Sequence, residues 1–357
     1  MAKLNINQLT DNFNDDTNPQ VAADYGDVVW ESEVFGNLNL GYYNGITEEI
    51  TTIASTFNDE SNPQISDGGD VVYEWEYGIG DIDVRLYDVN TDTTTLLPIG
   101  IARDETNPQI SGNLIAYEYE FTSSDTDIYL YNEFTNTNTP IAETAFNEIN
   151  PQIAGNFVVY ERENSNSNTD LYLYNDLTGI EIPVATNFIR NETNAQVSEF
   201  GDVVYEYEFS STDTDIYLRD FSTGNTFTLA SSGFDEINPQ IAGNYVTWQA
   251  WDGNDWEIYL HDRLTGAITP LTNNSQDDIN PQVSDLGFVV WEHEYDSSDT
   301  DILLYDGSTV YDGSTVQTLV NSTNDEVNPQ IAGNYVTWEA WDGNDWEIYT
   351  ASIFPDV

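Results

Sequence analysis

Eight acidic residues recur at a fixed place in the chain and could bind metal cations. Each lies two residues before the Asn of an Asn-Pro-Gln tripeptide, which is Asn-Ala-Gln in one case. The eight are Asp16, Glu60, Glu105, Glu148, Glu192, Glu236, Asp278 and Glu326. Carboxylate oxygens without Cys or clustered His suit calcium or magnesium rather than zinc. The pattern predicts a divalent-cation site with Ca²⁺ as its cofactor. The alternative is that each carboxylate accepts backbone N–H bonds and holds its own tight loop.

A second set of residues could bind a saccharide. The sequence Trp-Asp-Gly-Asn-Asp-Trp occurs twice, at 251–256 and at 341–346. The candidate ligand-binding residues are Trp251, Asp252, Asn254, Asp255, Trp256, Trp341, Asp342, Asn344, Asp345 and Trp346. Flat aromatic rings can stack on a sugar ring while carboxylates and amides hold its hydroxyls. The alternative is that the two Trp of each loop form a cross-strand pair that staples a hairpin.

Other catalytic chemistry has little support in the sequence. The chain has no Cys and two His, His261 and His293, and it shows no Ser/His/Asp order and no phosphate-binding loop. A pair of carboxylates could cleave a glycosidic bond. A signal shared by all units does not single out one such pair.

The acidic positions belong to an internal repeat. The Asn of the tripeptide lies at positions 18, 62, 107, 150, 194, 238, 280 and 328, with spacings of 44, 45, 43, 44, 44, 42 and 48 residues. A repeat of this length is typical of a solenoid or a propeller. The chain therefore has eight units.

Each unit is predicted to form four short β-strands. In the fifth unit, residues 203–208 alternate so that Val203, Tyr205 and Tyr207 share one face, and turn residues separate this segment from 215–219 and 226–229. Alternation of this kind indicates β-strands, and no segment has convincing helical periodicity. The chain is predicted to be all-β.

The two ends of the chain complete each other. The last unit stops after its third strand, and residues 6–20 align without a gap to residues 268–282 with nine of fifteen identical. Residues 4–10 are therefore expected to supply the missing fourth strand, since closure hides sheet edges. We predict a single domain over residues 1–357, an eight-bladed β-propeller of four-stranded blades.

The repeat resembles the TolB-type β-propeller repeat. The matching segments of the sixth unit are Asp235-Glu236-Ile237-Asn238-Pro239, Ala242-Gly243-Asn244, Val246-Thr247-Trp248, Glu257-Ile258-Tyr259-Leu260 and Leu271-Thr272. The Ser-Pro-Asp-Gly turn that is usual in the family is absent. The resemblance covers nearly the whole chain and implies a binding scaffold more often than an enzyme.

Composition narrows the range of partners. Apolar residues make up 39% and aromatic residues 13%, which is typical of a folded chain. With 64 Asp+Glu against seven Lys+Arg, the formal net charge is −57, so nucleic acid is excluded as a partner. No segment is apolar enough to insert into a membrane. We expect a monomer at the cell surface or outside the cell, although the opening residues lack a secretory signal; the alternative is the cytoplasm of a halophile.

The expected function is a non-catalytic binding scaffold whose acidic face takes divalent cations and a saccharide or a basic protein partner. Two alternatives stay open at this point. One is an enzyme that acts on polysaccharide by lyase or hydrolase chemistry, and the other is a structural spacer domain of a larger surface adhesin.

Overall fold

Alternating apolar and polar residues form β-strands along the whole chain. A computed structural model describes residues 3–78, 80–97, 103–122, 124–164, 168–187, 189–296, 299–307, 316–320 and 322–354. Over these ranges there are thirty-two strands and no helix, in eight separate four-stranded sheets. Accordingly, the described residues hold no helix with the length and apolarity to cross a bilayer. The all-β class and the eight blades are confirmed.

Each sheet is one blade, and its strands are antiparallel neighbours in chain order. Blade 1 contains β2 (Asp16–Val21), β3 (Val28–Val34), β4 (Asn37–Asn44) and β5 (Glu49–Ala54). Blade 2 contains β6 (Glu60–Ile65), β7 (Val71–Glu76), β8 (Ile82–Asp88) and β9 (Thr93–Leu96). Blade 3 contains β10 (Glu105–Ser111), β11 (Leu114–Thr122), β12 (Asp125–Asn132) and β13 (Thr137–Ala142). Blade 4 contains β14 (Glu148–Ala154), β15 (Phe157–Glu163), β16 (Thr169–Asn175) and β17 (Ile180–Ala185).

The second half of the ring repeats this plan. Blade 5 contains β18 (Glu192–Val197), β19 (Val203–Ser210), β20 (Asp213–Arg219) and β21 (Thr226–Ala230). Blade 6 contains β22 (Glu236–Ala242), β23 (Tyr245–Trp251), β24 (Trp256–Asp262) and β25 (Ala267–Pro270). Blade 7 contains β26 (Asp278–Val283), β27 (Val289–Asp296), β28 (Asp299–Tyr305) and β29 (Val316–Val320). Blade 8 contains β30 (Glu326–Ala332), β31 (Tyr335–Trp341), β32 (Trp346–Phe354) and, from the other end of the chain, β1 (Lys3–Gln8).

The N-terminal strand closes the ring, as the sequence predicts. Strand β1 pairs antiparallel with β32 from Lys3 opposite Phe354 to Gln8 opposite Tyr349. The N–H of Leu9 continues the ladder by donating to the carbonyl oxygen of Ile348 at 2.8 Å. The outer edge of blade 8 is therefore built from the two ends of the chain.

The apolar core lies between blades because both faces of each sheet are covered. In β19, Val204 packs with Val246 and Trp248 of blade 6, whereas Tyr205 on the opposite face packs with blade 4. The closing seam is built in the same way, since Leu9 packs with Trp30 and Ile348. Apolar burial, worth about 1.5–3 kcal/mol for each large side chain, thus joins each blade to the next around the ring.

A ring of hydrogen bonds, which we call the Asn–Glu girdle, links the first strands of all eight blades. The repeated Asn has a positive φ of 50–54° in every unit and lies at a β-bulge. Its backbone N–H donates to a side-chain oxygen on the second strand of the preceding blade at 2.6–2.9 Å. The acceptors are Glu339, Glu31, Glu74, Glu118, Glu161, Glu206, Gln249 and Glu292 for Asn18, Asn62, Asn107, Asn150, Asn194, Asn238, Asn280 and Asn328.

Each acceptor of the girdle also holds the Asn of its own blade. Glu206, for example, accepts the N–H of Asn238 at 2.8 Å and the side-chain amide of Asn194 at 2.8 Å. Gln249 makes the same two contacts through its Oε1 atom, with Asn280 and Asn238. This explains why the twin segments 238–259 and 328–349 tolerate Gln249 in one copy and Glu339 in the other. The position needs an acceptor oxygen, which both side chains have.

The girdle should be sensitive to loss of one Asn. We expect Asn238→Ala to lower the free energy of unfolding by about 1–3 kcal/mol, because Ala is strained at positive φ and cannot donate to Gln249. Asn238→Gly loses only the hydrogen bond and should be destabilised less. Urea denaturation measures the free energy of unfolding of both variants. An Asn238→Ala variant as stable as the wild type would contradict the assignment, and Asn225→Ala in an exposed turn is the control.

Candidate functional site

In every blade, three side chains from the first, second and third strands lie side by side in a row across the sheet. The rows lie at the end of the blades where the sequence predicts an acidic face. The first member is the predicted metal-binding acid on the first strand, and the third lies at the start of the third strand. Because residues directly opposite each other in antiparallel strands point to the same face, the three side chains of a row are neighbours. The rows are Asp16-Ser32-Asn39, Glu60-Trp75-Asp83, Glu105-Tyr119-Asp127, Glu148-Arg162-Asp170, Glu192-Tyr207-Asp215, Glu236-Ala250-Glu257, Asp278-His293-Asp301 and Glu326-Ala340-Glu347.

The first acid of a row also meets the third member of the preceding blade's row. Glu105 hydrogen bonds to Asp83, and Glu326 hydrogen bonds to Asp301. The other interacting pairs are Asp16 with Glu347, Glu148 with Asp127, Glu192 with Asp170, Glu236 with Asp215, and Asp278 with Glu257. Acids of the first strand and of the third strand of the preceding blade therefore meet at the seams between blades.

Burial in these seams favours the protonated carboxyl. It raises the pKa of Glu105 to about 9 and that of Glu192 to about 8, and the neighbouring Asp83 and Asp170 add to the effect. Burial and the nearby Asp125 raise the pKa of Asp127 to about 6. A protonated Glu105 can donate a hydrogen bond to the Asp83 carboxylate, which is how two acids share a dry site.

The eight predicted metal-binding acids are all buried, with at most 4% of their surface exposed, but each lies in its own seam. Some have a protein partner for their charge. Arg162 binds Glu148 at 2.8 Å, and Asp278 accepts hydrogen bonds from Trp291 at 2.8 Å and His293 at 2.7 Å. Calcium binding by the eight acids stays a prediction.

The residue directly before each of the eight acids is Asp or Asn in every unit, and it makes a hydrogen bond to the preceding blade. Its side-chain oxygen accepts a backbone N–H from the preceding blade at 2.9–3.2 Å. The donor is the residue directly before the third member of that blade's row, for example Thr214 before Asp215. The eight acceptors are Asp15, Asp59, Asp104, Asn147, Asn191, Asp235, Asp277 and Asp325. These residues clasp adjacent blades.

The middle residue of the row differs in size from blade to blade and helps to fill the seam. Large side chains fill it in most blades, whereas Ala250 leaves a cavity of about 410 Å³ between blades 5 and 6. The walls of this cavity include Glu236, Trp251, Asp252 and Phe234. A second cavity of about 480 Å³ lies beside another small middle residue, Ser32. No signal in a single unit reveals these openings, although a comparison of the eight middle residues would have suggested them.

The Trp loops are tight hairpins with their rings in contact. Trp251 lies opposite Trp256 with ring centroids 5.5 Å apart, and Trp341 and Trp346 repeat this geometry. In blade 6 the Asp252 carboxylate accepts the N–H groups of Asn254 and Asp255 at 2.7 and 3.2 Å. The contact is the one expected of a hairpin staple. Both rings of the blade 6 pair keep part of their surface exposed, and saccharide stacking on them stays a prediction.

Each Trp loop brings three acids together in a group that could hold a metal ion. The groups are Asp252, Asp255 and Glu257 in blade 6 and Asp342, Asp345 and Glu347 in blade 8. In each group one oxygen from every residue lies within 4.8 Å of the others. The sequence predicts a saccharide site that includes Asp252, Asp255, Asp342 and Asp345, and the structure groups these acids with Glu257 and Glu347.

Comparisons with known proteins identify the architecture. No protein-family model matches the sequence. No curated protein matches it either. Among solved structures, an oligogalacturonate lyase in complex with manganese is similar, with a TM-score of 0.60, 12% identity, and coverage of 98% of this chain and 93% of the other. An oligogalacturonate lyase from Vibrio parahaemolyticus has a TM-score of 0.60, 11% identity, and coverage of 98% and 96%. Dipeptidyl peptidase 4 from Porphyromonas gingivalis has a TM-score of 0.64, 11% identity, and coverage of 90% and 55%.

These comparisons contradict the expectation of a non-catalytic binding scaffold. The similar structures are lyases and peptidases, so propeller architecture of this kind does not point away from catalysis. At such low identity the likeness itself establishes a shared propeller fold. The scaffold prediction is wrong on this comparison, and the enzyme alternative is the better supported of the two.

The buried acid pairs should make stability depend on pH. Burial raises the pKa of Glu105 to about 9 and that of Glu192 to about 8 in the folded protein, whereas an unfolded glutamate has an ordinary pKa of 4.5. Between these values the folded state binds more protons than the unfolded state. The free energy of unfolding should therefore fall as pH rises from 5 to 9. Urea denaturation at constant ionic strength measures this.

A single-residue variant isolates the effect. Glu105→Gln mimics the protonated carboxyl, so it should match the wild type near pH 5 and exceed its stability at pH 9. Stability that rises with pH over this range, or a Glu105→Gln variant that is less stable at pH 9, would contradict the assignment.

Proposed function

We propose that the protein is an enzyme that acts on a polysaccharide, and that hydrolysis takes place in the cavity between blades 5 and 6. The observation that carries this proposal is the Glu236 carboxyl in the wall of the cavity. Glu236 is 3% exposed, and its Oε2 atom has no hydrogen-bond partner. A buried carboxyl with an unpaired oxygen beside an open cavity is suited to act on a bound molecule.

The environment of Glu236 suits a proton donor. Burial is the main cause that raises its pKa, and the negative charges of Asp215 and Asp213 raise it further, against hydrogen bonds from Ser232 that lower it. A carboxyl whose pKa is raised keeps its proton to a higher pH than an ordinary one, and it can give that proton to the glycosidic oxygen as the bond to the leaving group breaks. This is the first of the two roles that glycoside cleavage requires.

A second carboxylate and aromatic walls complete the site. Asp252 is exposed and lines the same cavity, where it can take a proton from the attacking water or attack the anomeric carbon itself. Trp251 and Phe234 form apolar walls on which a sugar ring can stack, and Trp248 lies beneath them in contact with Tyr259. The volume of about 410 Å³ is in the range of small-ligand pockets.

Charge supports a neutral glycan as the substrate. A chain with a formal charge of −57 repels a polyuronate unless cations intervene. Lyase action on an acidic glycan is the second candidate. It is supported by the acidic groups that could hold an ion and by the manganese complex of the similar oligogalacturonate lyase.

We propose Ca²⁺ as the ion for the acidic face, because the candidate ligands are carboxylate and amide oxygens and calcium accepts irregular sets of such oxygens. The finer family assignment, to the TolB-type propellers, is likewise proposed from the repeat motif. A location at the cell surface or outside the cell stays a proposal.

Activity should depend on Glu236 and on the open cavity. On a panel of neutral and acidic polysaccharides, we expect release of reducing ends or unsaturated products by the wild type. Glu236→Gln should lower kcat by about 100-fold or more, the usual contribution of general acid catalysis. Ala250→Tyr, which restores the side chain that blades 3 and 5 carry, should abolish activity by filling the cavity.

The matched control is Ala340→Tyr, the same change in the row of blade 8. It should keep activity, with melting temperatures checking that each variant folds. The absence of cleavage on every glycan would overturn the proposal, as would equal losses in Ala250→Tyr and Ala340→Tyr.

A further inference from the structure

We propose that the protein binds two calcium ions, one in each Trp loop. The ligands are Asp252, Asp255 and Glu257 in blade 6, and Asp342, Asp345 and Glu347 in blade 8. This inference rests on the calcium proposal above and makes it specific to two sites; the blade 6 site shares Asp252 with the wall of the catalytic cavity.

The geometry brings three negative charges together in each loop. One oxygen from each of the three carboxylates lies within 4.8 Å of the others. The loop sequence produces this arrangement, because Asp252 accepts two backbone N–H bonds from the turn and Gly253 takes the positive φ of 103° that the turn needs. Asp342 and Gly343 repeat both features, with a φ of 102°. The ion pairs found among the described residues include none of the six acids.

Unpaired buried oxygens point to a missing partner. Asp255 and Glu257 are 3% and 2% exposed, yet the Oδ2 atom of Asp255 and the Oε2 atom of Glu257 have no hydrogen-bond partner. The same atoms of Asp345 and Glu347 are also buried and unpaired, at 4% and 0% exposure. A buried carboxylate oxygen without a partner costs free energy, and a bound cation would offset that cost.

The remaining oxygen of each buried acid is held by the protein. Oδ1 of Asp255 accepts from the Asn254 side chain at 2.8 Å, and Oε1 of Glu257 accepts from the N–H of Asn274 at 2.8 Å. These bonds orient the unpaired oxygens. Such support of the ligating carboxylates is typical of metal sites. Calcium suits the group better than magnesium, which demands a near-ideal octahedron.

Within the part of the chain that the structure describes, groups of three acids with this geometry occur in these two loops. In blade 5, Ser210 stands where blade 6 has Asp252, so that loop offers only the two acids Asp213 and Asp215. The two proposed sites coincide with the two Trp-Asp-Gly-Asn-Asp-Trp sequences. The blade 8 site also touches the ring closure, because Glu347 accepts the N–H of Asn12 at 2.9 Å.

Calorimetric titration with CaCl₂ at fixed ionic strength, on protein stripped with chelator, tests the proposal. We expect two ions for the wild type, one for Asp255→Asn, one for Asp345→Asn and none for the double variant. Asp213→Asn, the matched control in blade 5, should still bind two. Asp252 is exposed, so Asp252→Asn should fold normally while its blade 6 site loses about tenfold or more in affinity.

The outcomes separate this proposal from the catalytic one. A wild type that binds no calcium would overturn it, as would a double variant that still binds two ions or an Asp213→Asn variant that loses one. Glu236→Gln should keep both ions even if it has lost all activity. Two bound ions with no glycan cleavage would support the calcium sites and would contradict only the proposed enzyme function.

Discussion

The structure depends on one repeated interaction, in which a side-chain oxygen of one blade accepts the backbone N–H of the Asn that opens the next. The Asn–Glu girdle makes this contact eight times, including the seam where Glu339 of blade 8 holds Asn18 of blade 1. It fixes the bulged Asn at positive φ and so sets where the first strand of every blade begins. The neighbouring acid and its clasp residue take their places in the seam as a consequence.

The sequence was sufficient to predict the architecture because each blade follows the same local rules. Alternation identified the strands, and the alignment of residues 6–20 with 268–282 identified the closing strand, which pairs from Lys3 to Gln8. The girdle was missed, because Glu206 and its equivalents looked like the polar face of a half-exposed strand. The signal was present in the one difference between the twin segments, Gln249 against Glu339, which keeps an acceptor oxygen and drops a charge.

The site was harder to foresee for a physical reason. The eight equivalent acids have similar sequence contexts but differ in what lies across the row. Arg162 neutralises Glu148, His293 binds Asp278, and Ala250 leaves Glu236 beside an open cavity. Such differences depend on which side chains become neighbours across strands and across blades. The periodic signal describes the scaffold, and the variable middle residue gives each seam its own chemistry.

The concentration of carboxylates at the seams has the same origin as the fold. Acids that clasp, cap and link blades must lie where the blades meet, so like charges are brought close and some are kept protonated. In the two Trp loops three acids come together, and there we propose a cation as the partner of their charges. Structure, pH dependence and ion binding are in this way consequences of one arrangement.

Amide hydrogen exchange of the eight repeated Asn residues tests the girdle most directly. Protection of all eight N–H groups, with Asn18 at the closing seam as slow to exchange as Asn62 or Asn238, is the result this account requires. Fast exchange at Asn18 with slow exchange at the others would mean that the ring does not close through the girdle. Fast exchange at all eight would contradict the central role given to the Asn–Glu contact.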